Sequence, residues 1–161
     1  MRIRNIVIPI IAAAFCGFVG YHYYSLMSSA KHIDATYEKL ESGLMNNVSM
    51  VPEIVKELDK YNGINSQVIV DLRSQVDATP NLTEKVTALE SMAKTVDLAV
   101  SAVPEKSQRL DEIITSYSIS LNELTKDRKE YNELVDKYMN NRGGIWSIGT
   151  NLLRLPMKEK V

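Results

Sequence analysis

The residues that most often carry catalytic or metal chemistry are few in this chain and lie near its start. The histidines are His22 and His32, and the single cysteine is Cys16. A two-metal carboxylate site in a helical bundle needs Glu-x-x-His pairs, so that both ligands project inward one turn apart, and the sequence contains no such pair. A serine nucleophile would need a base, and no histidine follows His32. We therefore predict no catalytic, cofactor-binding or metal-binding residues and no enzymatic activity.

Charge is distributed unevenly along the chain. The sequence has 19 Lys and Arg against 20 Asp and Glu, so that no basic excess indicates nucleic acid as a partner. Residues 28–141 carry a net charge of −6, whereas residues 142–161 carry +3. An acidic body is typical of a solvated helical surface. The basic and apolar tail would in addition suit an anionic membrane surface.

An apolar segment opens the chain. Residues 6–20 have no polar side chain and would form about 22 Å of helix, whereas a bilayer core needs about 30 Å. Extension to Met27 covers that length and adds a cluster of tyrosines, whose rings favour the headgroup region. We therefore predict a membrane anchor over residues 1–27. The predicted interface residues are Tyr21, Tyr23 and Tyr24 and, in the tail, Trp146.

A cleaved signal peptide is the alternative for this segment. Arg2 and Arg4 would form its basic region and residues 28–30, Ser-Ser-Ala, its cleavage site. We favour the anchor, because bulky tyrosines precede that site and the helical pattern continues through it. The basic residues before the span place the N-terminus in the cytoplasm by the positive-inside rule. The prediction is a single-pass protein of the cytoplasmic (inner) membrane, with its body on the extracytoplasmic side.

The body, residues 28–141, has apolar residues spaced three and four apart, which is typical of amphipathic helices. The first helix is predicted to run from the anchor to Val51 without a break, and Pro52 to turn the chain. A second helix would follow to Val76, kinked at Asn62-Gly63. The fold class predicted from this pattern is all-α: a single N-terminal transmembrane helix that continues into an antiparallel up-and-down bundle of long helices.

Two further helices complete the predicted bundle. The third would have Thr79 as its N-cap and Pro80 at its first position. The fourth would run over about residues 105–141, with Gly143-Gly144 as its stop. Residues 142–161 then form the basic, apolar tail. The predicted domains are thus an anchor (1–27), a bundle (28–141) and a tail (142–161).

Arg128 is the one charged residue in the apolar stripe of the fourth helix, among Leu124, Tyr131 and Val135. A snorkelling or ion-paired side chain would explain it. The alternative is that it marks a ligand held between helices. Arg128 is therefore the candidate functional polar residue of the bundle.

Two segments carry a resemblance to a known family. Residues 128–138, RKEYNELVDKY, are similar to the Arg-x-x-Tyr-Asn-x-x-Val-x-x-Tyr-Asn run of the LemA family of bacterial membrane proteins. Residues 50–55, MVPEIV, resemble that family's Leu-Ile-Pro-Asn-Leu-Val. The chain departs from the family at Asn46-Asn47, where paired arginines are usual, and at Met139, which replaces the final asparagine. The resemblance implies a membrane-anchored antiparallel bundle without an established enzymatic activity.

The leading functional hypothesis is a membrane-tethered, non-enzymatic interaction protein of LemA-like type. Its bundle would face an unidentified partner protein, and its tail would fold back on the bundle or touch membrane lipids. A ligand-sensing or receptor-like module is the alternative, and self-association of the chain is also left open. Neither hypothesis includes a cofactor or a nucleic acid.

Overall fold

The computed structural model describes residues 4–143 and 155–161 of the chain. Its regular elements in these residues are four α helices, and no strand occurs among them. The prediction of an all-α protein whose first helix is long and apolar is confirmed. The helices are α1 (Arg4–Leu58), α2 (Gln67–Ala78), α3 (Leu82–Ser101) and α4 (Gln108–Arg142).

Helix α1 runs through Pro52, so the predicted turn at this residue was wrong. A proline has no N–H, and the carbonyl one turn earlier, that of Val48, therefore loses its usual partner. The helix persists because Val51, Ile54 and Leu58 continue the buried stripe, each with at most 1% of its surface exposed. Burial of these side chains outweighs the lost hydrogen bond.

The chain breaks at residues 59–66 instead. Gly63 has a φ angle of 87°, a left-handed conformation that glycine adopts without strain. The Tyr61 hydroxyl accepts a hydrogen bond from the Ser107 N–H at 2.8 Å, which ties this turn to the segment before α4. Asn62-Gly63 therefore lies in a turn between two helices, not at a kink within one as predicted, and the second helix begins only at Gln67.

Replacement of Pro52 by alanine is expected to stabilise the protein. Alanine restores the N–H that a helix interior requires. Proline in a helix interior lowers stability by about 3 kcal/mol, and its restriction of the unfolded chain offsets up to about 1 kcal/mol of that loss. Because Pro52 is exposed, little packing is lost. Urea unfolding of the full-length protein in mild detergent should show a gain of about 1–3 kcal/mol, with Lys56→Ala on the same exposed surface as control. A loss of stability would contradict a continuous helix at this position.

The start of α3 also differs from the prediction. Asn81 is its N-cap, and the Asn81 side chain accepts hydrogen bonds from the N–H groups of Thr83 and Glu84. Thr79, predicted to be that cap, belongs to the end of α2, where its hydroxyl donates to the Gln75 carbonyl at 2.8 Å. The asparagine amide oxygen satisfies two of the N–H groups that a helix leaves without partners, which fixes the start after Pro80 rather than at it.

Helix α4 begins three residues later than predicted. The Ser107 hydroxyl oxygen accepts a hydrogen bond from the Leu110 N–H at 3.1 Å and so caps the helix. At the other end α4 stops at Arg142, and Gly143 follows it as expected. Gly144 lies outside the described residues.

The chain divides into two compact units. The first consists of the described parts of Met1–Ala35 and Glu133–Glu159, the second of Thr36–Asn132 and Lys160–Val161. Both units have an apolar core. In the first unit the described part of this core includes Leu26, Ala30, Ile33, Val135, Tyr138 and Leu155; in the second it includes Leu40, Leu44, Ile54, Leu58, Ile69, Leu89, Met92 and Leu110.

Within the second unit, α1 and α4 contact each other at several levels. Lys39 pairs with Asp127 at 2.6 Å, and that hydrogen bond raises the pKa of the lysine. Further along α1, Asn46 donates to Ser120 at 3.1 Å, and Glu53 pairs with Arg109 at 2.9 Å. As the numbers rise along α1, those of the partners on α4 fall. In the same unit, α2 packs against α3.

Candidate functional site

Arg128, the predicted polar residue of α4, forms two strong interactions within the second unit. Its Nε donates to the main-chain oxygen of Val161 at 2.8 Å. Its Nη1 pairs with the Glu90 carboxylate on α3 at 2.6 Å. The side chain is about one-third exposed (32%). The guanidinium therefore links α4, α3 and the tail, and its charge is balanced by Glu90.

Asn132, one turn further along α4, holds the same tail residue. Its Nδ2 donates to the Val161 oxygen at 2.9 Å, and its Oδ1 accepts from the Val161 N–H at 2.9 Å. The side-chain amide thus satisfies both main-chain groups of Val161. This role of Asn132 was not predicted from the sequence. The feature of the sequence that could have indicated it is the position of Asn132 next to Tyr131, within the segment that carries the family resemblance.

The preceding part of the tail is held in the first unit. The Tyr138 hydroxyl donates to the Pro156 oxygen at 2.9 Å, and the Arg142 guanidinium donates to the Leu155 oxygen at 3.2 Å. Lys158 pairs with Asp34 of α1. Burial and, more weakly, the Asp34 charge raise the pKa of Tyr138, whereas Arg142 acts in the opposite direction. Residues 155–158 are therefore held by main-chain oxygens and also by the buried side chain of Leu155 and the ion pair of Lys158.

A groove lies between α3 and α4 in the second unit. It has a volume of about 250 Å³ and a largely apolar floor with charged residues at its edges. Arg128 belongs to its lining, so the residue that holds Val161 also borders this groove. Its lining residues on α3 are Val86, Leu89, Glu90, Ala93, Lys94 and Asp97, and those on α4 are Leu121, Leu124, Thr125 and Arg128.

Three buried side-chain atoms of the second unit have no hydrogen-bond partner among the described residues: the Tyr117 hydroxyl, the Asn47 Oδ1 and the Arg73 Nε. Asn47 donates its Nδ2 to the Gly43 carbonyl at 2.8 Å. Asn47 and Tyr117 lie at neighbouring levels of the unit, because Asn46, next to Asn47 on α1, contacts Ser120, which is about one turn from Tyr117 on α4. Burial, and secondarily the Asp97 charge, raise the pKa of Tyr117 to about 12.

The raised pKa of Tyr117 predicts a loss of stability at alkaline pH. In the unfolded chain the hydroxyl loses its proton near pH 10, whereas in the folded protein it keeps it to about pH 12. The stability due to this difference is complete below pH 10 and is lost as the pH rises to about 12. Relative to Tyr117→Phe, the native protein should lose up to about 3 kcal/mol of unfolding free energy over this range. Parallel pH profiles of the two proteins would reject the prediction.

The predicted membrane-interface residues lie on α1. Tyr21 and Tyr24 are well exposed and Tyr23 is half-buried. Before them, every side chain of residues 8–18 is exposed, including Phe15 (65%) and Phe18 (57%). Of the helices in residues 4–143, α1 alone is long and apolar enough to span a membrane. Trp146 lies outside the described residues.

The described residues bring together no cluster of metal-ligating side chains. Cys16 and His32 are exposed on α1. The arrangement that remains as a candidate site is the groove between α3 and α4, together with Arg128, Asn132 and the tail residue that they hold. No protein-family model, no curated protein and no solved structure matches this chain.

Proposed function

We propose that this chain is a membrane-tethered, non-enzymatic interaction protein of LemA-like type. One observation carries the proposal: residues 8–18 of α1 are apolar and exposed on every side of the helix. A helix that is apolar all round is stable only when another apolar phase surrounds it. Burial of these side chains in lipid would be worth about 25 cal/mol for each Å² removed from water.

The proposed body is an antiparallel bundle. Support comes from the contacts of Lys39 with Asp127, Asn46 with Ser120 and Glu53 with Arg109, whose order on α4 is the reverse of that on α1. The connections between successive helices are short, as in up-and-down bundles.

The proposed placement is in the cytoplasmic membrane with the body outside. Tyr21 and Tyr24 would lie at the headgroup level on one side of the bilayer. Arg2 and Arg4 would stay in the cytoplasm, in accordance with the positive-inside rule. The proposed partners are membrane lipids and a protein that contacts the body.

Fractionation and a topology reporter test this proposal. The full-length protein should remain in the membrane pellet after alkaline carbonate extraction. A phosphatase reporter fused after Val161 should be active, whereas a fluorescent reporter that folds only in the cytoplasm should be dark. Recovery in the soluble fraction would reject the tether. The opposite reporter pattern would reject the orientation and leave the tether standing.

The second candidate function is a ligand-sensing module. The observation that favours it is the groove of about 250 Å³ that Arg128 borders, since apolar clefts with a few polar groups are typical of small-molecule sites. In that case, Arg128→Ala should abolish a ligand-induced rise in melting temperature without unfolding the protein. Arg109→Ala, at an ion pair on the exposed surface, is the matched control.

A further inference from the structure

The tail residue Val161 lies at one end of the α3–α4 groove. Before it, the Lys160 oxygen is 3.5 Å from the hydroxyl of Thr83, in the first turn of α3. The Val161 oxygen then reaches Arg128, which lines the groove. The direction from Lys160 to Val161 is therefore from the first turn of α3 toward the groove.

The way Asn132 holds Val161 does not depend on the valine side chain. One amide group accepts from the N–H and donates to the oxygen of the same residue. Neighbouring strands of a sheet exchange the same pair of hydrogen bonds. Asn132 would thus hold any extended residue that follows this path, and selectivity has to come from the groove beyond it.

The chemistry of the groove favours apolar side chains. Five of its ten lining residues, Val86, Leu89, Ala93, Leu121 and Leu124, are apolar. Arg128 is paired with Glu90 at 2.6 Å, so the groove offers no uncompensated positive charge at this end that would select an anion. Lys94 and Asp97, of opposite charge, stand near the other end.

We propose that the α3–α4 groove binds an extended apolar segment of a partner protein, which takes Arg128 and Asn132 from Lys160–Val161. The main chain of this segment would pair with Asn132 as Val161 does, and the apolar side chains that follow would enter the groove. The tail is thus an internal competitor. The proposal rests on the proposed function only in that the partner is a protein, and it does not require a membrane.

Competition with the tail determines how tightly a partner segment must bind. Because the tail is tethered, its effective concentration at Asn132 is on the order of millimolar. A segment that only reproduced the tail contacts would lose against it. Apolar side chains in the groove, which Val161 does not fill, supply the additional affinity.

Peptide binding to the full-length protein in mild detergent tests this inference. Two fluorescent peptide probes have the sequence of residues 155–161, LPMKEKV, followed in one probe by two leucines and in the other by two serines. We expect the leucine probe to bind at least about tenfold more tightly, because burial of leucine side chains drives the difference. Val161→Pro removes the N–H that the tail donates to Asn132 and should tighten the binding of the leucine probe.

Matched variants locate the binding. Ala93→Phe fills the groove from α3 and should abolish the advantage of the leucine probe, whereas Ser91→Phe on the exposed face should not. Because the tail also uses Asn132, this test is made in the Val161→Pro protein, where Asn132→Ala should weaken both probes and Asn122→Ala, at an exposed position of α4, should weaken neither. Circular dichroism checks the fold of each variant. If Ala93→Phe unfolds, Thr125→Phe fills the groove from α4 instead.

Three results would overturn the proposal. Equal affinity for the two probes would mean that the groove takes no apolar segment. Leucine-probe binding that survives both Ala93→Phe and Thr125→Phe would place the probe elsewhere. Loss of probe binding as the protein forms dimers would make a second copy of this chain the occupant. Recovery of the protein in the soluble fraction would reject the membrane tether and leave the outcome of the probe experiment unchanged.

Discussion

Substitution of arginine for both Phe15 and Phe18 is expected to move the protein from the membrane to the soluble fraction. The two side chains are about one turn apart near the middle of the proposed span and are 65% and 57% exposed. An arginine at the centre of a membrane helix costs about 2.5–3.5 kcal/mol. The two together would cancel much of the free energy that the apolar segment gains in lipid. Carbonate extraction followed by quantitative blotting measures the shift.

A pair of arginines elsewhere serves as the control for this experiment. Met45 and Ile119 are large apolar residues with 48% and 55% of their surface exposed on the second unit. Replacing both by arginine adds the same charge outside the span and should leave the protein in the membrane pellet. If the Phe15 and Phe18 variant also stays in the pellet, the apolar segment is not the tether.

Leu44→Ala is expected to lower the free energy of unfolding by about 2–5 kcal/mol, the usual cost of removing a fully buried leucine side chain. Leu44 is 0% exposed. Its surroundings leave little room for collapse, because a Cβ at neighbouring Gly43 would lie only 3.3 Å from Leu124 Cδ1 of α4. Where surrounding residues cannot close a cavity, the cost lies toward the upper end of the range. Urea unfolding in mild detergent gives the difference.

Met45→Ala is the matched control, since Met45 is the next residue on α1 and is 48% exposed. It should change the free energy of unfolding by less than about 1 kcal/mol. Similar losses for the two variants would mean that α1 presents a different face to the core of the second unit.

The periodic apolar stripes were sufficient to predict most helices, because burial of one face decides where a helix persists. In α3, the apolar residues at this spacing are Leu82, Val86, Leu89, Ala93, Val96 and Val100, and all except the half-buried Ala93 are buried. Local rules failed where they competed with burial. The proline rule predicted a turn at Pro52, but the buried stripe on both sides of it keeps the helix intact.

Helix ends depended on single side-chain contacts that a pattern does not specify. Thr79 and Asn81 are both good N-cap residues, and the choice between them is made by which side chain meets the first N–H groups of α3. The contacts within the candidate site could not be predicted from the sequence for a related reason. Arg128 stood out as a charge within an apolar stripe, whereas its partner Val161 is 33 residues away in the sequence. Periodicity contains no information on such a contact.

Residues 155–161 are held in large part by their main-chain oxygens, and this has a consequence for how the chain can evolve. Four helix residues, Arg128, Asn132, Tyr138 and Arg142, bind the main-chain oxygens of Leu155, Pro156 and Val161. Most substitutions in the tail leave those oxygens in place, whereas a substitution in any of the four removes a contact. Selection to keep residues 155–161 docked therefore acts on the sequence of α4 and on the buried Leu155 and Val161, and lets exposed positions such as Pro156 drift.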